Sequence, residues 1–186
     1  MSVKFKHVNN YSTYFCTFTC YKWLPLFELT KGYDLVYNWF NILRSRRIDI
    51  VGYVIMPNHV HCILHFPDND FDLNKVIGNG KRFIAYEIIK RLKRDANKPL
   101  LNELASACSM REIKKKQAHK VFKESFDAKA IFSDKFMLQK LNYIHNNPLK
   151  GKWNLAKDTS TYLHSSALFY EGTNIDFFTP KHYRDL

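Results

Sequence analysis

Residues 56–66 read MPNHVHCILHF, and this stretch carries the clearest structural pattern in the chain. Neighbouring side chains of a β-strand point to opposite faces, so the apolar residues at positions 60, 62, 64 and 66 form one face and predict a core. The other face carries His59, His61 and His65. His59 and His61 can reach one metal ion, whereas His65 is about 13 Å from His61 along a strand, too far to share that ion. Two structural histidines explain the pair equally well when it is taken alone.

The segments around this stretch predict further strands and helices. Alternating residues predict strands at 12–23 and 49–56, and apolar residues at helical spacing predict helices at 29–47 and 71–94. The turn at Pro57-Asn58 joins the second of these strands to the histidine strand, so the two strands form a hairpin. Gly78 and Gly80 favour a break in the second helix, because glycine weakens helices.

Length and composition indicate a globular protein with one domain spanning residues 1–186. Hydrophobic residues make up 46% of the chain and aromatic residues 16%, which excludes a disordered chain. There are 29 Lys and Arg against 17 Asp and Glu, and the net charge of +12 favours a polyanionic partner, with nucleic acid as the first candidate. Solubility alone also explains this charge.

Basic side chains in two segments are the candidate contacts with nucleic-acid phosphates. They lie in the helix at 71–94 and in an insertion near 100–120, and they are Lys81, Arg82, Arg111, Lys114, Lys115 and Lys116. A solvated surface explains both segments equally well. The tail at 152–186 is rich in loops and aromatic residues, and the sequence leaves open whether it wraps the domain or contacts nucleic acid.

Cysteine usage and the lack of apolar runs indicate the compartment. The four cysteines, at positions 16, 20, 62 and 108, form no CxxC pair and no zinc-ribbon spacing. Three of them fall on apolar faces of strand-like segments, which favours core thiols in a reducing environment. The sequence has no N-terminal signal pattern and no apolar run of membrane-spanning length. We therefore expect a cytoplasmic protein without a membrane partner.

A helix that begins at Asp134, after the capping residue Ser133, carries the second informative pattern. Its apolar stripe consists of Met137, Leu138, Leu141 and Ile144. At about 100° per residue, Tyr143 lies roughly 160° from Leu141 around the helix axis, on the side shared by positions 136 and 140. Asn147 lies one turn after Tyr143, so the two side chains project together.

The position of Tyr143 makes it a candidate nucleophile. A tyrosine opposite the apolar stripe of its helix is not needed for packing against that core, although a half-buried structural tyrosine is the more common explanation. A phenol has a pKa of about 10 and is a poor nucleophile. A metal ion on a phosphodiester neutralises charge there and makes attack by a phenolate feasible. Asn147 could supply an amide oxygen to the same ion as His59 and His61.

Two separated stretches resemble one protein family. Residues 56–61 (MPNHVH) are similar to the histidine–hydrophobic–histidine signature of the HUH single-tyrosine transposases. Residues 143–150 (YIHNNPLK) resemble the tyrosine helix of the same family, particularly of the REP-associated tyrosine transposases. Weaker similarity covers residues 121–134 and Ser165-Ser166, so the resemblance spans roughly residues 10–170.

The resemblance implies an α+β fold of the ferredoxin-like or RRM-like kind. Helices would pack on one face of an antiparallel sheet, with the tyrosine-bearing helix near the C-terminal third. The family implies Mg²⁺ or Mn²⁺ held by His59 and His61, with Asn147 at the position of an amide-bearing third ligand. Tyr143 would attack single-stranded DNA, often a hairpin end or repeat, and leave a 5′-phosphotyrosine and a free 3′-OH. Residues 121–123 (VFK) replace a tryptophan and a glutamine that relatives often have, which affects substrate contacts more than chemistry.

Two alternative functions stay open from the sequence. The same kind of sheet binds single-stranded DNA or RNA by stacking, without catalysis. A metallonuclease would instead use water as the nucleophile at the histidine pair. We favour a transposase or strand transferase because the histidine pair and the tyrosine helix occur together, and we expect a monomer rather than a homodimer.

Overall fold

The computed structural model describes residues 11–68, 70–150, 154–173 and 177–186. The strands are β1 (Thr13–Thr19), β2 (Asp49–Met56), β3 (His59–His65) and β4 (Asp127–Ala130). The helices are α1 (Leu26–Leu29), α2 (Tyr33–Ser45), α3 (Leu73–Arg94), α4 (Lys98–Ser106), α5 (Met110–Lys114), α6 (Asp134–Asn146) and α7 (Ala167–Tyr170). Short 3₁₀ segments lie at Tyr21–Trp23, Asn147–Leu149, Thr159–Thr161 and Tyr183–Asp185. Residues 152, 153 and 174–176 of the tail lie outside the described residues.

The strands form one antiparallel sheet in the order β2-β3-β1-β4. With α2 between β1 and β2, and α3 between β3 and β4, the chain follows the β-α-β-β-α-β order of the ferredoxin-like fold. The predicted α+β fold with an antiparallel sheet is therefore confirmed. The predicted hairpin is formed by β2 and β3, in which Met56 pairs with His59.

Different helices cover the two faces of the sheet. One buried cluster joins the apolar face of β3, which includes Val60, to α2 and α3. The second cluster joins Phe15, Val54 and Ile63, which share the face of His61, to α6. The expectation that helices pack on one face is thereby corrected, because α6 lies on the face opposite α2 and α3. Apolar side chains occur on both faces of β2 and β3, so both faces must be shielded from water.

Helix α3 runs without interruption through its two glycines, in contrast to the expected break. A Cβ atom on Gly80 would lie 2.5 Å from the Cε2 atom of Trp39, so the glycine lets α2 approach α3 closely. A Cβ atom on Gly78 would meet nothing within 4 Å. In the described ranges of the chain, no helix combines the length and the apolar character that a membrane crossing requires.

Helix α6 begins as predicted, because the Ser133 hydroxyl accepts a hydrogen bond from the backbone N–H of Phe136. Of the predicted apolar stripe, the residues at 137, 141 and 144 are buried, whereas Leu138 is exposed. Helix α6 lies against β2 at Gly52, where a Cβ atom would come within 2.6 Å of Leu141 Cδ2. The β2–β3 register shifts between Ile50 and Gly52, which is typical of a β-bulge.

The described parts of the tail lie along β2. The backbone N–H of Ile55 donates to the carbonyl of His164, and the N–H of Ser166 donates to the carbonyl of Tyr53. Further along the strand, the N–H of Lys181 donates to the carbonyl of Ile50. The tail therefore wraps the sheet at this edge, which answers the question that the sequence left open for these residues.

The predicted core thiols lie where the strand pattern placed them. Cys16 and Cys62 face each other across β1 and β3, and both are buried and free. Cys20 is also buried and free, and Cys108 is partly exposed. Burial raises the pKa of each of the three buried thiols, which keeps them protonated and unreactive.

Candidate active site

His59 and His61 lie side by side on β3, and both are buried although they are polar. Their ring centroids are 4.6 Å apart. The Oδ1 atom of Asn58 lies 2.6 Å from Nδ1 of His59, and because an amide oxygen only accepts, this ring nitrogen carries the proton. The Oγ1 atom of Thr17 lies 2.6 Å from Nδ1 of His61. Both rings therefore have one nitrogen engaged by a neighbour, and Nε2 of His59 keeps its lone pair.

The surroundings keep both imidazoles neutral. Burial lowers the pKa of His59 to about 4, and the side chain of Asn147, the smaller cause, acts in the opposite direction. Burial lowers the pKa of His61 well below its ordinary value, and repulsion from a protonated His59 and from the ammonium of Lys140 adds to this effect. A neutral imidazole is the form that binds metal ions, so the pair is in its ligand form at neutral pH.

Helix α6 brings the second half of the site to the histidines. Asn147, at the C-terminal end of the helix, has its side chain close enough to His59 to oppose the lowering of the His59 pKa. Tyr143, one turn earlier, lies edge-on against His61 with 5.1 Å between ring centroids. Its ring is also 5.8 Å from that of Phe15, which stacks on His61. Tyr143 is 48% exposed, in agreement with its predicted place off the apolar stripe.

The residues present fit a divalent cation with open coordination positions. Among the described residues, no group of three or more His, Cys, Asp or Glu could hold a metal ion. The candidate donors are therefore two neutral imidazoles and the amide oxygen of Asn147. Metal-binding histidines commonly have their second ring nitrogen hydrogen-bonded to a neighbour, as Asn58 and Thr17 provide for His59 and His61. Three protein donors on one side leave room for water or substrate oxygens.

The other histidines of the two motifs lie outside the candidate donor set. His65, at the far end of β3, has its Nδ1 atom 2.8 Å from Oγ1 of Thr13. His145 is buried, and its Nε2 atom lies 3.0 Å from the hydroxyl of Ser166. Packing and hydrogen bonding account for both residues.

The predicted nucleic-acid contacts lie on the other side of the sheet from Tyr143. Lys81 and Arg82 belong to α3, which covers the opposite face, and they line a groove of about 790 Å³ with Lys115 and Lys116. Arg111, Lys114 and Lys115 line a smaller depression of about 340 Å³ beside α5. The predicted contacts therefore lie away from the histidine pair, and Lys123, which also lines the groove, reaches the ring of Trp23 beside His59.

Lys81 has a structural role that its charge did not reveal. Its ammonium donates to the backbone carbonyls of Lys123, Glu124 and Ser125, at 2.7, 3.0 and 3.3 Å. These bonds occupy all the hydrogens of the ammonium, and burial lowers the pKa of Lys81 to about 8. Lys81 thus fixes the 123–125 loop against α3 and has no donor left for a phosphate.

Sequence reasoning missed several residues that shape the site. Thr17 and Asn58 orient the two imidazoles, and Trp23 lies edge-on to His59 with 5.7 Å between ring centroids. Thr17 is recognisable only through the β1–β3 register, which pairs it with His61. The sequence pattern assigned Asn58 only to the turn. Its position immediately before His59 was the one feature of the sequence that could have indicated a contact with the histidine pair.

Comparisons with known proteins bear on the fold. No protein-family profile and no curated protein sequence matches the chain. The structure of a REP-associated tyrosine transposase bound to a REP hairpin matches with a TM-score of 0.61 and 19% identity, over 91% of this chain and 86% of that one. A protein from Deinococcus radiodurans R1 that is described as a transposase matches with a TM-score of 0.44 and 16% identity, over 78% of this chain and 97% of that one. The second likeness is too low to carry an argument, and the first shows that this chain has the fold of a REP-associated tyrosine transposase.

Proposed function

We propose that the chain is a metal-dependent single-tyrosine transposase, which cleaves and rejoins single-stranded DNA through a phosphotyrosine. The observation that carries this proposal is the placement of Tyr143 against His61. The two residues belong to elements about eighty positions apart, yet their ring centroids are 5.1 Å apart. The side chain of Asn147, on the same face of α6 as Tyr143, is close enough to His59 to affect its pKa. One helix thus contributes a candidate nucleophile and a candidate ligand to the histidine strand.

His59, His61 and Asn147 are the residues that would hold Mg²⁺ or Mn²⁺. When bound, such an ion neutralises charge on the phosphate under attack. The chain contributes by keeping both imidazoles neutral through burial and by holding their orientation through Asn58 and Thr17. Neutral, pre-oriented donors need no rearrangement when an ion binds.

Tyr143 supplies the nucleophile in this proposal. Its phenolic oxygen, after losing its proton, forms a bond to the phosphorus of one phosphodiester. The bond from that phosphorus to the 3′-oxygen breaks, and the leaving oxygen takes up a proton to become a free 3′-OH. The phosphate stays linked to Tyr143 as a 5′-phosphotyrosine. Another 3′-OH can reverse the step, and no nucleotide cofactor is needed because the phosphotyrosine keeps the bond energy.

The proposed substrate is single-stranded DNA with hairpin ends or repeats. The net charge of +12 fits a polyanion, and the matching REP-associated transposase was determined with a REP hairpin. Tyr143 and the histidine pair lie together within one chain, which supports action as a monomer with its own tyrosine.

A trapping experiment tests the proposal. Wild-type protein is incubated with single-stranded hairpin DNA and Mg²⁺ or Mn²⁺, then denatured, and covalent protein–DNA adducts are separated by electrophoresis. We expect an adduct with the wild type and with the control Tyr86→Phe, which alters a 63% exposed tyrosine of α3. We expect neither cleavage nor an adduct with Tyr143→Phe.

The same experiment separates the alternatives. Cleavage that survives Tyr143→Phe without an adduct would identify a metallonuclease that uses water. Binding of DNA without cleavage by the wild type, over the hairpins and both metals tested, would identify a binding module. Either result would overturn the proposed mechanism.

A further inference from the structure

A row of four rings crosses the candidate site, and its two ends are open to solvent. The order is Trp23, His59, His61 and Tyr143, and neighbouring ring centroids are 5.7, 4.6 and 5.1 Å apart. Trp23 is 49% exposed and Tyr143 is 48% exposed, whereas the two imidazoles between them are buried. Each side of the histidine pair therefore presents an aromatic surface to a ligand.

The Trp23 end is held in a strained backbone conformation. Lys22 and Trp23 have φ angles of 49° and 60°, a region that bulky side chains rarely occupy. Asn58 donates from Nδ2 to the carbonyl of Trp23 at 3.2 Å, and its Oδ1 accepts from His59. The ammonium of Lys123 lies 4.3 Å from the indole centroid. Core packing does not explain the cost of this conformation, because the indole that it positions is half exposed.

The Tyr143 end continues along α6 to a second aromatic surface. Phe132 is 67% exposed and stacks on Phe136, with 5.1 Å between centroids and 17° between planes. Between this pair and the tyrosine, the ammonium of Lys140 lies 4.9 Å from the ring of Phe15, 5.0 Å from that of Phe136 and 5.8 Å from that of Tyr143. Both ends of the row thus combine an exposed ring with a lysine.

The ammonium groups of two lysines at the Tyr143 end have no ion-pair partner within the described parts of the chain. Lys129 is directly opposite Phe15 in the β1–β4 register, so it lies on the same face as the site. Its charge contributes to lowering the pKa of Lys140, after burial. In the described ranges, neither side-chain ammonium forms an ion pair. Asp127 is on the same face of β4, opposite Thr17, and it pairs with neither lysine.

We propose that a single strand of DNA lies along this row, with one base stacked on Trp23 and another on Phe132. Lys123 at one end, and Lys129 with Lys140 at the other, would hold backbone phosphates. Unpaired cations next to exposed rings are the combination that binds single-stranded nucleic acid, because phosphates need positive charge and every base has a face for stacking. A duplex does not fit this surface, since its bases are stacked on each other.

This path of the DNA strand depends on the proposed function in one respect, which is the position of the reacting phosphate. That phosphate would lie between the two stacking surfaces, next to Tyr143. The basic groove beside α3 and α5 lies on the side of the sheet that α3 covers, and Lys123, which lines it, is the residue it shares with this path.

A binding experiment tests this path of the DNA strand without requiring DNA cleavage. All variants are made in the Tyr143→Phe protein, and binding of a fluorescent oligo-dT is followed by anisotropy. We expect Trp23→Ala and Phe132→Ala each to weaken binding about tenfold. The matched control is Phe83→Ala, because Phe83 is 57% exposed and has the Arg82 guanidinium 5.0 Å from its ring, but belongs to α3 on the opposite face. The control should bind as the parent does.

Conservative variants keep the test independent of folding. Trp23→Phe retains a ring and should retain most of the binding that Trp23→Ala loses. Lys140→Gln should weaken binding and reduce its dependence on salt, because one phosphate contact is lost. If Trp23→Ala, Phe132→Ala and Lys140→Gln all bind oligo-dT as the parent does, the path is wrong.

A positional experiment then locates the two surfaces. In a cleaved oligonucleotide, 2-aminopurine replaces single bases on either side of the mapped cleavage position, and its quenching reports stacking. Trp23→Ala should remove quenching on one side only, and Phe132→Ala on the other side only. Loss on the same side with both variants would overturn the path.

The outcomes separate this inference from the proposed function. Weaker oligo-dT binding by the variants, with a wild type that never cleaves, would keep the path and reject the transposase proposal. Cleavage by the wild type, with variants that bind like Phe83→Ala, would keep the transposase proposal and reject the path.

Discussion

The Nδ1 atom of His61 lies 2.6 Å from Oγ1 of Thr17, the residue directly opposite it on β1. The same arrangement recurs four residues along the strands, where Nδ1 of His65 lies 2.8 Å from Oγ1 of Thr13. One threonine–histidine pair belongs to the candidate metal site and the other lies outside it. The pair of Thr13 and His65 can therefore serve as a control when the role of Thr17 in orienting His61 is tested.

Replacing Thr17 by valine should weaken binding of Mn²⁺ by about 10–100-fold, because the His61 ring loses the hydrogen bond that orients it. The change keeps the shape of the side chain, so the fold should be retained. Thr13→Val removes the equivalent bond from His65 and should leave Mn²⁺ affinity unchanged. Calorimetric titration with Mn²⁺ measures both affinities, and equal affinities for the two variants would contradict the assignment of His61 as a ligand.

Replacing Asn147 by alanine should lower the rate of DNA cleavage by about 10–100-fold, because the candidate amide ligand next to His59 is lost. The neighbouring Asn146 is the control, since its Nδ2 donates to the carbonyl of Asn142 within the helix. Asn146→Ala should cleave at the wild-type rate. Single-turnover cleavage at several Mn²⁺ concentrations measures the effect, and wild-type rates for Asn147→Ala at limiting Mn²⁺ would remove Asn147 from the site.

The two glycines of α3 should respond to alanine in opposite directions. Gly80→Ala should lower the free energy of unfolding by about 1–3 kcal/mol, because the added Cβ overlaps the ring of Trp39. Gly78→Ala should raise it by up to about 1 kcal/mol, because the Cβ meets nothing and alanine favours a helix. Urea unfolding of both variants measures the difference. An unchanged or higher free energy of unfolding for Gly80→Ala would mean that α2 and α3 are not in close contact at Gly80.

Acid should destabilise the fold through His145. Burial lowers the pKa of His145 in the folded protein to about 4, from an ordinary value of 6.5. Between these pH values the unfolded chain binds a proton that the folded chain does not, so the free energy of unfolding decreases as the pH falls. The full effect of this residue is about 3 kcal/mol, present above pH 6.5 and lost by pH 4.

The variant His145→Gln isolates this contribution, because it removes the titrating group and keeps a polar side chain near Ser166. Urea unfolding at pH 7.5 and pH 4.5 should show a smaller loss of stability for the variant than for the wild type. Buried histidines elsewhere, such as His59, add to the loss in both proteins and cancel in the difference. Identical losses would show that His145 is solvated or charged in the folded state.

Local periodicity predicted the parts of the fold that depend on neighbouring residues. The hairpin, the alternating faces of β3 and the Ser133 cap all follow from spacing within one segment. The exposure of Tyr143 follows from helix geometry in the same way. The pairing of Thr17 with His61 was not predictable, because register depends on contacts between strands that are far apart in the chain.

Other features could not be predicted for the same reason, because they depend on contacts between segments that are far apart in the chain. A charged side chain such as Lys81 gives no sequence signal that distinguishes a phosphate contact from bonds to backbone carbonyls. Gly80 indicates helix weakness locally, and its packing against Trp39 emerges only in three dimensions. The placement of α6 on its own face of the sheet depends on Gly52, which admits Leu141 close to β2.

The tail along β2 has a consequence for how the protein exists in solution. A strand at the edge of a sheet exposes backbone donors and acceptors that can pair with another copy of the same chain. His164 and Ser166 already occupy such groups on Ile55 and Tyr53, so the tail blocks strand-to-strand association at this edge. A shortened chain that ends near residue 150 would expose β2, and aggregation rather than loss of chemistry would then be its first defect.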